Sequence, residues 1–282
     1  MLKSIWILWY QGKENMTELV RNCYNSWTLH NPDWDVTLLT EENLPKFLDQ
    51  RTLAIIDQDR ISIQAKSDII RINILATHGG VWADATCFCC KPLNDWIQGY
   101  ANSNFFAFSY EPQKPTLLSS WFLVGSPNSL IINKWRNEVN DYWNENPKLI
   151  SWSSNIFTRY FVTGLKKIFK TAIKGQNWFH FIPLKLFRVY PYFWFHYLFE
   201  KCVLTDKKFE EEWLNIPKSS SEIPHKLQHY GFLEKTNLEI INFIKDKKSP
   251  VIKLSNAHDY ATDGCVAYLF KFYKTDNVQI TI

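Results

Sequence analysis

No stretch of this 282-residue chain approaches the roughly 20 consecutive apolar residues that a bilayer span requires. The opening MLKSIWILWYQGK holds too short an apolar run for a signal peptide. The expectation is a cytoplasmic protein. Charge of one sign is also lacking: 32 Lys and Arg against 28 Asp and Glu leave +4, with 21% of residues charged. That balance excludes a disordered polyelectrolyte and a protein organised around nucleic acid. Glycine is scarce, at 9 residues, and neither an internal repeat nor a low-complexity linker interrupts the chain. The six cysteines do not form a sensible disulfide framework, because Cys87, Cys89 and Cys90 fall within four residues. No second Cys or His pair stands near it at metal-ligand spacing, so CFCC reads as buried strand thiols. What is present in excess is aromatic: 13 Trp, 13 Tyr and 20 Phe, 16% of the chain. Rings beyond what a core consumes stack on sugars and bases or sit at a membrane surface.

The first half alternates short apolar runs with helical periodicity. Residues 4–10 (SIWILWY) suit a buried strand, residues 15–29 a helix with Leu19, Cys23 and Trp27 on one face, and residues 34–39 a second strand. Thr40 and Asn43 resemble a capping box that opens a brief helix. Residues 63–77 carry apolar side chains on more than one face, which predicts a helix buried all round, stopped by Gly79 and Gly80. VWADATCFCC then runs as a strand, followed by strands over residues 105–109 and 121–124 and a helix over 127–143 opened by Pro127. Strands joined by helices imply an α/β fold with a mainly parallel sheet covered on both faces.

The window AKSDIIRINILATHGGVWADAT, residues 65–86, carries the chemistry. Asp68 and Arg71 are three residues apart on one helix face, so a carboxylate and a guanidinium converge there. Taken alone the pair also reads as an ordinary helix-surface ion pair. Asp84 follows a strand leaving a Gly-Gly turn, and in open α/β sheets ligands bind beyond the carboxyl ends of strands. A carboxylate there suits sugar hydroxyls or a divalent cation bridging a diphosphate. His78, in the helix's last turn, reads as a cation on the helix dipole.

The run S-D-I-I-R followed by G-G-V-W-A-D-A-T resembles the nucleotide-sugar site of glycosyltransferases that share the sugar-binding region containing a DXD motif. I-W-I-L-W-Y-Q-G, C-Y-N-S-W and N-P-D-W-D-V are similar to that family's opening. W-A-D-A-T, P-Y-F-W-F-H-Y-L-F, I-P-H-K-L-Q and S-P-V-I-K-L look more narrowly like bacterial capsular polysaccharide synthesis proteins. The resemblance implies a GT-A type, Rossmann-like nucleotide-sugar-binding fold. It implies retaining, hexosyltransferase-like transfer from a nucleotide sugar, UDP-linked, to a saccharide or polyprenyl-linked oligosaccharide acceptor in capsular or surface polysaccharide synthesis. It places Trp9 against the nucleotide base, with Gln11 beside it, Asp68 on ribose or donor-sugar hydroxyls, and Arg71 beside the donor sugar. Asp84 matches the first Asp of the motif, and the third position is Thr86 rather than Asp. A hydroxyl is a weaker ligand than a carboxylate, so either Mn²⁺ or Mg²⁺ is held by Asp84 and Thr86 with His225 completing the set, or metal dependence is reduced; Lys226 would neutralise the diphosphate. Read on their residues alone, Trp9 is equally a core aromatic, Thr86 a β-branched strand residue and His225 a capping or core histidine. The degraded motif also admits a non-catalytic carbohydrate-binding protein on the same fold.

Residues 1–150 are read as the nucleotide-sugar-binding core and 151–282 as a helical acceptor-side segment that closes the site, the two forming one continuous unit. Residues 156–174 predict a basic amphipathic helix, with Ile156, Phe157, Tyr160, Phe161, Leu165, Ile168, Phe169, Ala172 and Ile173 opposite Arg159, Lys166, Lys167, Lys170 and Lys174. Residues 164–201 hold seven Lys and Arg, one acid, Glu200, and twelve aromatic residues. Three readings stand: a charged face over an ordinary core, a patch docked on anionic lipid at the inner face of the cell membrane, or a nucleic-acid surface, the last against the overall charge.

Overall fold

The structure is a computed structural model that describes residues 3–101, 104–109, 117–152, 156–169 and 174–279. A five-stranded sheet lies at its centre, built from β1 (Ser4–Leu8), β2 (Asp35–Leu39), β3 (Gly80–Ala83), β5 (Phe105–Ser109) and β6 (Leu118–Gly125) in the order β2-β1-β3-β6-β5. β1 pairs in parallel with β2 and β3, while β6 runs antiparallel to both β3 and β5. Four strands therefore point one way and β6 points back, a mainly parallel sheet in an α/β fold with a helical C-terminal part. The reversal has a local cause. Only residues 110–117 separate β5 from β6, too few for the dozen or more that a parallel crossover needs.

Both faces of the sheet are buried, and the alternation is strict. Trp6, Leu8, Trp82, Leu123, Phe105 and Ala107 face one cluster, and their strand neighbours Ile5, Ile7, Val81, Ala83, Phe122, Val124, Phe106 and Phe108 face another. The first cluster is covered by α2 (Gln50–Ile56), α3 (Ile63–His78), α5 (Leu130–Glu145), α8 (Trp194–Thr205) and α9 (Lys207–Asn215). The second is covered by Trp27 of α1 (Glu18–His30), by β4 (Cys87–Cys89) and by Trp96 and Tyr100 around α4 (Gln98–Ala101). The other side of α1 joins a third cluster with α10 (Lys226–Tyr230), α11 (Leu238–Lys245), β9 (Val251–Lys253) and α12 (Cys265–Gln279). β7 (Ile150–Ser151) pairs in parallel with β8 (Val189–Tyr190), beside α6 (Ile156–Ile168) and α7 (Ile182–Leu186).

Helices α3 and α5 begin at side-chain caps. Ser62 caps α3 by accepting from the Ala65 N–H, and Ser129 caps α5 by accepting from the Ile132 N–H. Pro127 thus precedes α5 rather than opening it. At Thr40 only half of the expected box forms: the Asn43 Oδ1 accepts from the Thr40 N–H at 2.8 Å, and a single 3₁₀ turn follows from Leu44 to Lys46. The turn from α3 into β3 needs both glycines. Gly79 caps the helix with φ +65°, and at Gly80, φ +98°, a Cβ would lie 2.4 Å from the Ser4 carbonyl oxygen. The predicted VWADATCFCC strand breaks in the middle, with β3 ending at Ala83 and β4 starting at Cys87. The six cysteines are all buried free thiols.

Most of the excess rings are consumed by the core. Trp135 stacks on Phe195 with centroids 4.0 Å apart, and Trp143 meets Tyr190 and Trp194 edge to face. The predicted helix over residues 156–174 ends at Ile168, and Lys170, Ala172 and Ile173 lie outside the described residues. Its buried positions are Thr158 and Val162, whereas Ile156, Phe157, Tyr160 and Ile168 of the expected apolar side are exposed. Lys166 does not face solvent alone, since its ammonium lies over the rings of Trp152 and Trp178. No helix among the described residues is long and apolar enough to cross a membrane.

Candidate active site

The carboxyl ends of β1 and β3, the first two turns of α3 and the reversed strand β6 meet around a cleft of about 920 Å³. β6 contributes Ser120 and Trp121 from its first half because it runs against β3. α8 and the end of β9 close the other side with His196 and Lys253.

Arg71 is the electrostatic hinge of this cleft. It projects from the centre of α3 and is 5% exposed at its side chain. Its Nη1 lies 3.1 Å from Asp68 Oδ1 and donates to the Ser120 carbonyl at 2.9 Å, while its Nη2 donates to Asp84 Oδ1 at 2.9 Å. The guanidinium lies over the rings of Trp82 and Phe195, 5.3 Å and 5.8 Å from their centroids. Asp84 follows β3 directly and is held in place by its own N–H, which donates to the Trp121 carbonyl at 2.8 Å. The Trp82 indole N–H adds a second bond to Asp84 Oδ1 at 3.0 Å. Two acids and one buried cation are thus assembled with fixed geometry before any ligand arrives.

Burial sets the protonation of this group. Asp68 is 14% exposed, and loss of water pushes its carboxyl up to about 7 against the opposing pull of Arg71, with Asp84 adding to the rise. His196 is driven the other way, to about 3, by burial first and by Arg71 second. Its Nδ1 is buried with no hydrogen-bond partner among the described residues.

The remaining predicted residues divide. Trp9 and Gln11 line the cleft at the end of β1, Trp9 partly buried and tied through its indole N–H to the Asn15 carbonyl at 3.1 Å. Thr86 and His225 also line it. Lys226 does not: it opens α10, and its ammonium pairs with Glu239 at 2.6 Å. His78 is no dipole counter-charge standing alone, since its Nε2 bonds the Phe47 carbonyl at 2.9 Å and its ring packs on Trp6. His196 and Lys253 went unnoticed as single residues, although both lie in segments that carry the family resemblance, P-Y-F-W-F-H-Y-L-F and S-P-V-I-K-L.

A divalent cation implied by that resemblance was expected on Asp84, Thr86 and His225, and the residues do not form such a site. The Lys253 ammonium donates to Thr86 Oγ1 and lies 3.6 Å from Asp84 Oδ2, between the two intended ligands. His225 donates from Nδ1 to the Ser221 carbonyl at 2.7 Å, a bond that orients the ring and does not by itself bar Nε2 from a ligand, and the ring stands edge to face against Trp121. Burial lowers the pKa of that imidazole. Among the described residues no three His, Cys, Asp or Glu side chains converge as metal ligands.

Comparison with curated proteins covers about half of the chain. Half of it (50%) is 23% identical over 161 residues to the O-glycosyltransferase braB of Annulohypoxylon truncatum, covering 38% of that protein. A similar share, 51%, is 24% identical over 161 residues to the initiation-specific alpha-1,6-mannosyltransferase of Saccharomyces cerevisiae, covering 32% of it. The chain thus spans about a third of the length of these relatives. Among solved structures, the catalytic domain of alpha-toxin from Clostridium novyi is similar with a TM-score of 0.41 and 11% identity, over 95% of this chain and 76% of that one. The family model for capsular polysaccharide synthesis proteins matches residues 1–183. That span holds β1, the Asp68 and Arg71 pair and Asp84, and on this match the chain belongs to the capsular polysaccharide synthesis protein family.

Proposed function

We propose that this chain is a GT-A type glycosyltransferase. It moves a sugar from a UDP-linked donor to a saccharide or polyprenyl-linked oligosaccharide acceptor in capsular or surface polysaccharide synthesis, with retention at the anomeric carbon. The observation that carries this reading is the convergence of Asp68, Arg71 and Asp84 at the carboxyl ends of parallel strands, in a cleft large enough for a nucleotide sugar. Membership of the family and the similarity of about half of the chain to two glycosyltransferases support it.

In the transfer, the bond from the anomeric carbon to the diphosphate oxygen breaks as the acceptor hydroxyl oxygen bonds to that carbon. The hydroxyl proton passes to the departing phosphate. Positive charge develops on the sugar ring and negative charge on the leaving group, so fixed groups of opposite sign on either side lower the barrier. Asp68 and Asp84 are placed to receive donor hydroxyls and to face the ring, with Arg71 fixing both carboxylates. Trp9 offers an indole at the mouth of the cleft for the base.

The acceptor side has a surface suited to a lipid-linked substrate. On α6, Ile156, Phe157, Tyr160 and Ile168 are exposed, and on α7 so are Ile182 and Leu186. The two helices share a small core through Val162 and Leu184, and Phe161 meets Phe187 with centroids 4.3 Å apart. From residue 146 to 199 the sequence contains no Asp or Glu. Exposed rings and aliphatics interleaved with Arg159, Lys167, Lys185 and Arg188 are the chemistry of a peripheral contact with anionic lipid, at the cytoplasmic face of the cell membrane.

Donor hydrolysis tests the activity. The protein is incubated with a panel of nucleotide sugars and released nucleoside diphosphate is measured; one donor should be preferred. A folded protein that hydrolyses none of them, with or without oligosaccharide acceptors, yet still binds oligosaccharide, would be a carbohydrate-binding protein instead.

A further inference from the structure

The position at which the family resemblance calls for a metal is already occupied by a cation of the chain itself. β9 pairs antiparallel with β4 so that Lys253 stands opposite Cys87, and the next backbone bond, from the Leu254 N–H to the Thr86 carbonyl at 2.9 Å, fixes Lys253 beside the Asp84–Thr86 loop. A second bond, from the Lys253 N–H to the Pro224 carbonyl at 2.9 Å, ties it to the segment carrying His225. The side chain is 17% exposed and its ammonium reaches back into the cleft.

Each oxygen of Asp84 then faces a cation. Oδ1 accepts from Arg71, and Oδ2 lies 3.6 Å from Lys253. A divalent ion entering here would have to displace an ammonium or stand against it, with Arg71 immediately behind. The odd residue of the motif fits the same arrangement. A carboxylate at position 86 would cancel the charge on Lys253, whereas the Thr86 hydroxyl orients the ammonium and leaves its charge intact. An ammonium has three donors. Thr86 takes one, Asp84 attracts another, and the third is left for a phosphate oxygen in the cleft.

We infer that Lys253 supplies the cation for the donor diphosphate, so that this chain binds and uses its nucleotide sugar without a divalent metal. The inference rests on the glycosyltransferase reading, and one measurement separates the two. The full chain is titrated calorimetrically with UDP, and in parallel with GDP, once in EDTA and once in millimolar Mn²⁺. The expected result is the same Kd in both buffers for the nucleotide that binds. Lys253→Met should weaken that binding about ten- to a hundredfold in EDTA, while Lys253→Arg, which keeps the charge, retains most of it. Thr86→Val removes the anchor and not the cation, and should weaken binding several-fold; it serves as the second variant if Lys253→Met loses its circular dichroism spectrum. Wild-type binding that tightens more than about tenfold on adding Mn²⁺, or a folded Lys253→Met that binds as the wild type does, overturns the role of Lys253 and leaves the glycosyltransferase reading standing. A folded wild type that binds neither nucleotide in either buffer overturns both.

Discussion

Arg71 Nη2 donates to Asp84 Oδ1 at 2.9 Å, and through this one bond the middle of α3 fixes the loop that follows β3. Because the same guanidinium holds Asp68 and is nearly sealed from solvent, removing it strands two acids at once. Arg71→Met should therefore lower the stability by about 3–5 kcal/mol, the range for breaking a buried ion pair from one side. Arg71→Lys should recover only part of it, since an ammonium lacks the fork that reaches two carboxylates. Urea unfolding midpoints at pH 8, above the Asp68 value of about 7, measure the loss. A midpoint unchanged in Arg71→Met would show that the hinge carries no stability.

Asp84 tests the chemistry separately from the fold. Asp84→Asn keeps an oxygen for Arg71 and Trp82 to donate to but removes the negative charge next to Lys253. Donor hydrolysis should fall by about 100-fold or more. The thermal midpoint should move by only a few degrees, so a large loss of activity would not trace to unfolding.

The sheet and its first helices were legible because apolar alternation with both faces covered is written directly in residues 4–8, 80–83 and 105–109. The reversal of β6 was also there to read, in the eight-residue link after β5. Which stripe of α6 faces inward was not. Periodicity separates Val162 from Phe157 but says nothing about the partner, and the partner here is a small cluster led by Trp178 and Leu184 that Val162 suffices to meet. Asp68, Arg71 and Asp84 sit close together in sequence, so their convergence could be foreseen. Lys253 could not be placed the same way: it lies 167 residues from Thr86 and reaches it only because β9 pairs with β4. Lys226, its nearer rival in sequence, is instead held by Glu239.

The pH dependence of stability should carry the signature of Asp68. Its carboxyl, at about 7 in the folded chain against an ordinary value of 3.8, keeps its proton on folding between those limits, so the folded state binds more protons than the unfolded one. Stability contributed by that group is full below about pH 4 and is lost as pH rises toward 7, by up to about 4 kcal/mol. His196 acts with the opposite sign. Held neutral down to about pH 3, it makes stability rise with pH up to 6.5. Asp68→Asn removes the first slope and keeps the second. Its stability relative to wild type, from urea unfolding at intervals between pH 5 and pH 8, should therefore climb with pH up to about 7 and level off above it. A flat difference would mean that Asp68 is ionised in the fold at all of these values.

The exposed face of α6 and α7 makes a prediction that does not depend on the sugar. Each basic residue near an anionic surface contributes about 1 kcal/mol, falling off within a Debye length of roughly 8 Å at physiological salt. The protein should therefore co-sediment with phosphatidylglycerol vesicles and not with phosphatidylcholine vesicles, and raised salt should weaken the binding. Replacing Arg159, Lys167 and Lys185 together by Glu should reduce partitioning by about 100-fold or more. Phe157→Ser with Ile168→Ser should reduce it in a way that salt does not mimic, because those side chains are 71% and 74% exposed and act through apolar burial in the interface. Equal sedimentation of the charge-reversed protein with anionic vesicles would place the lipid contact elsewhere or nowhere. In that case the acid-free stretch would owe its composition to the ring-and-lysine packing seen at Lys166, whose ammonium lies 4.9 Å from the Trp152 ring and 5.5 Å from that of Trp178.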